Sequence, residues 1–229
     1  MEPKVTLMWG TPDPEYQIVR AARECYASED SIDSHWEPTG AVQKIMMGGG
    51  LDVGVPMLKV KLGPNDTALL KTLMKNQHNT CLRFASAAFR ITDISRVCSH
   101  QLVRIAHFGI LQRSQRYCNE ENTNFIFPDT IEDKRDAENV GKYFLEVYKD
   151  LIAAGVKEED ARYILPGATS TRINMVSNFQ GWKHLLHIRL NKKVQLETRM
   201  VAAELCRQLY ELAPIVFEED FNKLDNLDL

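Results

Sequence analysis

One short run carries most of the chemistry: Gln101-Leu-Val-Arg-Ile-Ala-His-Phe-Gly-Ile-Leu-Gln-Arg-Ser-Gln-Arg-Tyr117. It puts Arg104, Arg113, Arg116, Ser114, Gln101 and Gln112 within seventeen residues. Fixed cations suit phosphate, and side-chain amides suit the edges of a ring. Arg162, before Tyr-Ile-Leu-Pro, and Arg189, after Leu-Leu-His-Ile, lie in similarly apolar helical sequence. Arginines there are expensive to bury without anions. Ion pairs with Asp and Glu explain the set as well as a bound phosphate beside an electron-rich ring.

Other groups say less. Gly48-Gly49-Gly50 lacks the spacing of a dinucleotide fingerprint, so a flexible loop is the better reading. His184 and His187 have metal-compatible spacing but no third ligand. Cys118 lies near cations, yet a lone cysteine in such a place is more often inert than nucleophilic.

Bulk composition narrows the field. The chain has 229 residues, 44% hydrophobic and 26% charged, enough for one core without disulfide or metal staples. A net charge of −3 offers no global field for DNA or RNA, so any anion site is local. Five scattered cysteines with no CxxC pair suit a reducing cytoplasm. The first residues do not read as a secretory signal, and no apolar run approaches the length of about 20 residues expected of a membrane span.

The elements that position these residues follow from periodicity. Val5–Trp9 reads as a strand, and Glu15 onward as a helix burying Ile18, Val19 and Ala22, with Tyr26 on the same face. Residues 28–64 are less regular. Asp66 reads as the N-cap of a helix with Leu69, Leu70, Leu73 and Met74. Residues 85–94 alternate as a half-buried strand, and Ser95 caps a helix running to about Arg104. Residues 124–127 read as another strand. Helices follow at 134–154, with Gly155 as its stop, then 157–164, 179–190 and 194–213. The acidic stretch 214–229 reads as a solvated end. The expectation is one α+β domain over 1–229, helix-rich around a small antiparallel or mixed sheet, with a Gly-rich insert at about 40–64.

Taken together, the motifs resemble the flavin-dependent thymidylate synthases. That family is marked by Gln-x-x-Arg-His-Arg, seven residues, then Ser-x-Arg-Tyr; here the spacing is kept as Gln101-x-x-Arg104-Ile105-Ala106, then Ser114-x-Arg116-Tyr117. Ala21-Ala22-Arg23-x-Cys25-Tyr26, His78-Asn-Thr80, Ser95-Arg96, Ala161-Arg162-x-x-Leu165-Pro166, and Asn178, His184, Arg189 with Val194-Gln195-x-Glu197-x-Arg199 match further segments in order.

The resemblance implies C5 methylation of a pyrimidine nucleotide, dUMP to dTMP, with methylenetetrahydrofolate as carbon donor, FAD as hydride carrier and NADPH as reductant. It implies a homotetramer with shared active sites. By position it assigns charge stabilisation at N3 to Arg189, with no enzyme nucleophile. It assigns nucleotide binding to Gln101, Arg104, Gln112, Ser114, Arg116, Arg162 and Arg189, and flavin binding to His78, Thr80, Arg104, Asn178 and His184.

Departures fall on the flavin side. Ile105-Ala106 replaces His-Arg, Arg83-Phe84 replaces Glu-His, and Gln180 stands where another flavin-contacting arginine is expected. Each lost charge-assisted hydrogen bond costs about 1.5–3 kcal/mol. Two alternatives follow: flavin-independent C5 hydroxymethylation, or a non-catalytic nucleotide-binding paralogue. His107, Arg83 and the glycine-rich insert are the candidate compensators.

Overall fold

A computed structural model describes residues 2–47 and 51–228, with backbone only for 38–58. Gly48–Gly50, read above as a flexible loop, lie outside the described residues. The α+β expectation holds. Four strands, β1 (Lys4–Gly10), β4 (Ser86–Ser95), β5 (Gly109–Gln112) and β6 (Ser170–Asn178), form an antiparallel sheet in the order β1-β4-β6-β5. A separate antiparallel ribbon pairs β2 (His35–Met47) with β3 (Leu51–Lys61).

β4 and β6 are central because their alternation matches. Phe89 faces Met175 and Ile91 faces Ile173 across the register, and all four are buried. α6 (Phe179–Arg189) and α7 (Leu196–Leu212) supply the helical side of the same core. Trp182 of α6 is fully buried, edge-on to Phe89 at 5.1 Å and Phe108 at 4.7 Å, with Nε1 donating to the Ala87 carbonyl at 3.0 Å. The indole thus fills volume and satisfies its polar atom at once.

Two helices pack beside this core. α1 (Pro14–Cys25) starts with Pro14 after a left-handed Asp13 and buries Ile18, Val19 and Ala22; Tyr26, expected on that face, caps the helix and is exposed. α2 (Pro64–Lys75) is capped by Gly63, not by Asp66. Pro64 sets the helix start three residues early, which carries Asp66 inward. There Asp66 is buried and pairs with Arg23 at 2.7 Å, while also accepting from Ser34 N–H at 3.0 Å.

Three expectations need correction. The insert is a strand pair, with Val60 N–H tied to the Asp13 carboxylate at 3.0 Å. Residues 124–127 make only an isolated bridge, Phe125 to Thr169, because β5 occupies the position beside β6. The stretch after Pro214 is no solvated end: α8 (Pro214–Asn222) buries Val216 and Phe217, and Phe217 meets Phe179 at 5.1 Å. The Glu15 carboxylate accepts from Ile215 N–H at 2.6 Å and Val216 N–H at 3.3 Å, fixing the start of that helix.

α3 (Arg96–Leu102) ends two residues before Arg104, with Ser95 as the expected N-cap. α4 (Lys134–Ala153) ends before Gly155, whose φ of +84° suits glycine. Of α4's apolar face only Tyr148 is fully buried, and Val140 is 55% exposed. A short α5 (Glu158–Ala161) runs into a 3-10 turn at Arg162–Ile164.

Candidate active site

α3 is the axis of one cluster, and its two ends are fastened from α7. At its start Ser95 Oγ accepts from Cys98 N–H at 3.0 Å, as an N-cap should. Glu197 holds Ser95 in turn, accepting from its N–H at 2.6 Å and its hydroxyl at 2.7 Å. At the other end Gln101 Nε2 donates to Gln195 Oε1 at 2.5 Å, and Arg189 Nη2 donates to the Gln101 carbonyl.

Arg189 closes α6 against that end of α3. Its Nε is buried with no hydrogen-bond partner among the described residues. Burial pushes its guanidinium below the ordinary range, the positive charge of Arg104 adds to this, and Cys98 opposes it. Cys98 itself has its thiol pushed up to about 12, chiefly by burial and then by Glu197, so it is no thiolate nucleophile. Two positive charges thus lie beside one buried donor that has no acceptor among the described residues.

A second group of cations gathers near the start of α3. Arg116 Nε pairs with Glu159 at 2.7 Å, and Arg162 Nε donates to the Glu159 carbonyl at 3.0 Å. Ser114 Oγ accepts from Arg116 N–H at 3.1 Å. Arg96 has a buried Nη1 without a partner; burial holds its guanidinium low, Glu120 counteracts and the charge of Arg162 adds. Gln112, on β5, donates to Ser99 Oγ at 2.8 Å and Thr171 Oγ1 at 3.3 Å, which fastens β5 to α3 and β6. The two ends differ: Arg116 has an acidic partner in Glu159, whereas Arg104 and Arg189 enter no ion pair among the described residues.

The flavin-side residues lie elsewhere. A cleft of about 1070 Å³ opens between the 3-10 turn Asn79–Phe84, the first turns of α6, and α8. Asn178 and His184 line it with Arg83, Gln180, Ala106 and His107. His78 and Thr80 flank Asn79 at its rim and are exposed, though neither is itself a lining residue. None of the seven nucleotide-side residues lines the cleft, and that includes Arg104, the one residue assigned to both sets; apart from it the two sets lie apart within one chain.

The departures from the family pattern now have places. Ile105 is 6% exposed and belongs to the core, while Ala106 opens onto the cleft. His107 takes a left-handed φ of 69°, held by Ser177 Oγ donating to its carbonyl at 2.9 Å. Backbone strain of this kind persists only where the surroundings over-determine it. Gly181 is part of that arrangement, for a Cβ there would lie 2.1 Å from Ser177 Oγ. Arg83 and Gln180, two unmatched positions, bond to each other at 2.6 Å.

Sequence reasoning singled out Arg96, Gln195 and Glu197 only as motif matches and assigned them no work. Their signal was the motif spacing, but the partners lie about a hundred residues apart. Among the described residues no group of three His, Cys, Asp or Glu side chains is placed to hold a metal ion.

A family model described as thymidylate synthase complementing protein matches residues 6–215. A flavin-dependent thymidylate synthase of Geobacter sulfurreducens is 33% identical over 223 residues, covering 94% of this chain and 86% of the relative. Those of Mycobacteroides abscessus and Mycobacterium tuberculosis are 31% and 32% identical over 167 and 169 residues. They cover 65% and 66% of this chain and 67% and 68% of their own lengths.

Proposed function

We infer, from the fact that this chain belongs to the family of flavin-dependent thymidylate synthases, that it methylates C5 of dUMP to give dTMP. Methylenetetrahydrofolate supplies the carbon, and bound reduced FAD supplies the hydride. The observation that carries the assignment of roles is Arg189, a partly desolvated cation with an unpartnered Nε beside Arg104.

The chain's own residues divide the work along α3. Arg189 faces the pyrimidine and stabilises negative charge at N3, which raises electron density at C5. A fixed cation does this without reorganising as the charge develops. Gln101, Arg104 and Gln112 set the ring and sugar, and Ser114, Arg116 and Arg162 take the phosphate at the other end. α3 has seven residues, about 10 Å at 1.5 Å per residue, so its ends are spaced for base and phosphate.

The cleft suits a flavin dinucleotide in size and in its donors. His78, Thr80, Asn178 and His184 are the residues assigned to hold it, with Arg104 reaching from the nucleotide side. NADPH is the reductant in this reading. Neither alternative is favoured by an observation, because Arg83 and Gln180 keep donors in the cleft despite Ile105 and Ala106.

Separation of the two sets within one chain supports a homotetramer with shared sites. Surface left open supports it too: Leu111 on the sheet edge is 76% exposed, and Tyr163 beside Arg162 is 83% exposed. We read the chain as one domain, acting in the cytoplasm without nucleic-acid partners. No described helix is long and apolar enough to cross a membrane.

The test is tritium release from dUMP labelled at C5, with methylenetetrahydrofolate, FAD and NADPH, alongside mass analysis of the product. Release together with dTMP is expected. Release with only a hydroxymethyl product, or nucleotide binding without exchange, would overturn the assignment.

A further inference from the structure

The cleft contains cations in two different conditions. Lys183 Nζ lies 2.7 Å from Asp220 and donates to the Val216 carbonyl at 2.9 Å. Lys223 Nζ lies 2.9 Å from Glu219 and 3.5 Å from Asp220. Both are neutralised by α8. Arg83 is not: its Nε donates to Gln180 Oε1 at 2.6 Å, a neutral acceptor, and it enters no ion pair among the described residues.

That bond fixes the chemistry of both partners. A guanidinium has donors only, so Gln180 must turn its carbonyl oxygen toward it. The amide nitrogen of Gln180 then faces away as a further donor. The result is an all-donor patch with one positive charge, composed of both terminal nitrogens of Arg83 and Nε2 of Gln180. It lies on the first turn of the eleven-residue α6, whose N-terminal end adds positive potential. Lys71 and Lys75 on the α2 wall strengthen the same field, but neither is held by a hydrogen bond among the described residues.

A planar two-pronged cation flanked by an amide donor matches phosphate oxygens. We propose that Arg83, oriented by Gln180, binds the pyrophosphate of the flavin dinucleotide; this rests on the flavin-using function above. Arg83 makes the contact, and Gln180 is a positioning residue that restricts the arginine's rotamers before the ligand arrives. The pair thereby puts a cation in the cleft although position 180 itself is neutral and Ala106 contributes no donor.

Affinities of FAD and of riboflavin, which has no phosphate, for the intact protein decide the matter. They are measured by calorimetry or flavin fluorescence on wild type, Arg83→Ala and Gln180→Ala. Arg83 is exposed, so its truncation leaves the core intact. Loss of its charge-assisted bonds weakens FAD roughly 10- to 100-fold and leaves riboflavin unchanged. Gln180→Ala weakens FAD by a smaller factor, again sparing riboflavin. Equal FAD affinity in wild type and Arg83→Ala overturns the proposal, as does an equal loss for riboflavin. Failure of the wild type to bind FAD is a separate result, and it removes the flavin reading itself.

Discussion

Glu197 grips Ser95 twice, at its backbone N–H and at its hydroxyl, and so ties the start of α3 to α7 across 102 residues. The bond to the hydroxyl orients the oxygen that caps Cys98 N–H. A single carboxylate therefore sets both the position of α3 and the integrity of its cap, upstream of every arginine that α3 carries or contacts.

Glu197→Ala leaves Ser95 without either acceptor. Two charge-assisted bonds of this kind, at about 1.5–3 kcal/mol each, predict a stability loss of about 3–6 kcal/mol. The urea midpoint reports it. Calorimetry should show dUMP affinity falling in parallel, whereas an unchanged nucleotide affinity would sever α3 position from nucleotide binding.

Arg189→Ala separates catalysis from folding. Removing a cation that acts on developing charge predicts a fall of about 100-fold or more in tritium release from C5-labelled dUMP. The thermal midpoint should fall by only a few degrees, because loss of the bond to the Gln101 carbonyl is partly offset by removal of a buried Nε that has no partner among the described residues. Near-wild-type tritium release would exclude Arg189 from the chemistry.

Gly181→Ala forces the Ser177 hydroxyl away from the His107 carbonyl, since the new Cβ would sit 2.1 Å from that oxygen. The expected loss is about 1–3 kcal/mol, the usual range for overpacking. Adding Ser177→Ala removes the obstructing oxygen and should recover part of it. A double variant less stable than Gly181→Ala would rule out this clash as the cause.

Asp66 gives a pH dependence of known sign. Burial works to raise its carboxyl, but the hydrogen bond from Ser34 and the bond and charge of Arg23 outweigh it, so it lies below its ordinary value. Its stabilisation is complete above the unfolded value of about 3.9 and disappears as pH falls through the lower folded value. Asp66→Asn should cost about 3 kcal/mol at pH 7, as for other buried pairs that lose one partner. Urea unfolding from pH 7 to pH 3 should show the wild-type and variant curves converging at the acid end.

The sequence was readable where one periodicity ruled. α1, α4, α6, α7 and β4 follow their apolar spacing. β6 also alternates, with Ile173 and Met175 inward and Arg172 outward, but its buried Thr171 and Ser177 weakened the signal. In the β2–β3 ribbon Pro38, Gly40, Gly54 and Pro56 punctuate the strands, so pairing overrode residue preference. α8 failed for the opposite reason: Val216 and Phe217 are apolar, but Glu218-Glu219-Asp220 dominates the composition. In the site, motif spacing located the arginines. It was silent on partners, because Glu159 reaches Arg116, Gln195 reaches Gln101 and Glu197 reaches Ser95 only through tertiary contact.

The place of α8 in the cleft wall has a consequence for biosynthesis. Residues 215–223 are among the latest described parts of the chain to be translated, and they supply one side of the cleft and the carboxylates that neutralise Lys183 and Lys223. Their helix is seated by Glu15, made near the beginning. A nascent chain paused anywhere before this segment lacks that wall and carries Lys183 without its partners, the Asp220 carboxylate and the Val216 carbonyl. The cleft is therefore complete only after residues 215–223 have left the ribosome and docked on the start of α1.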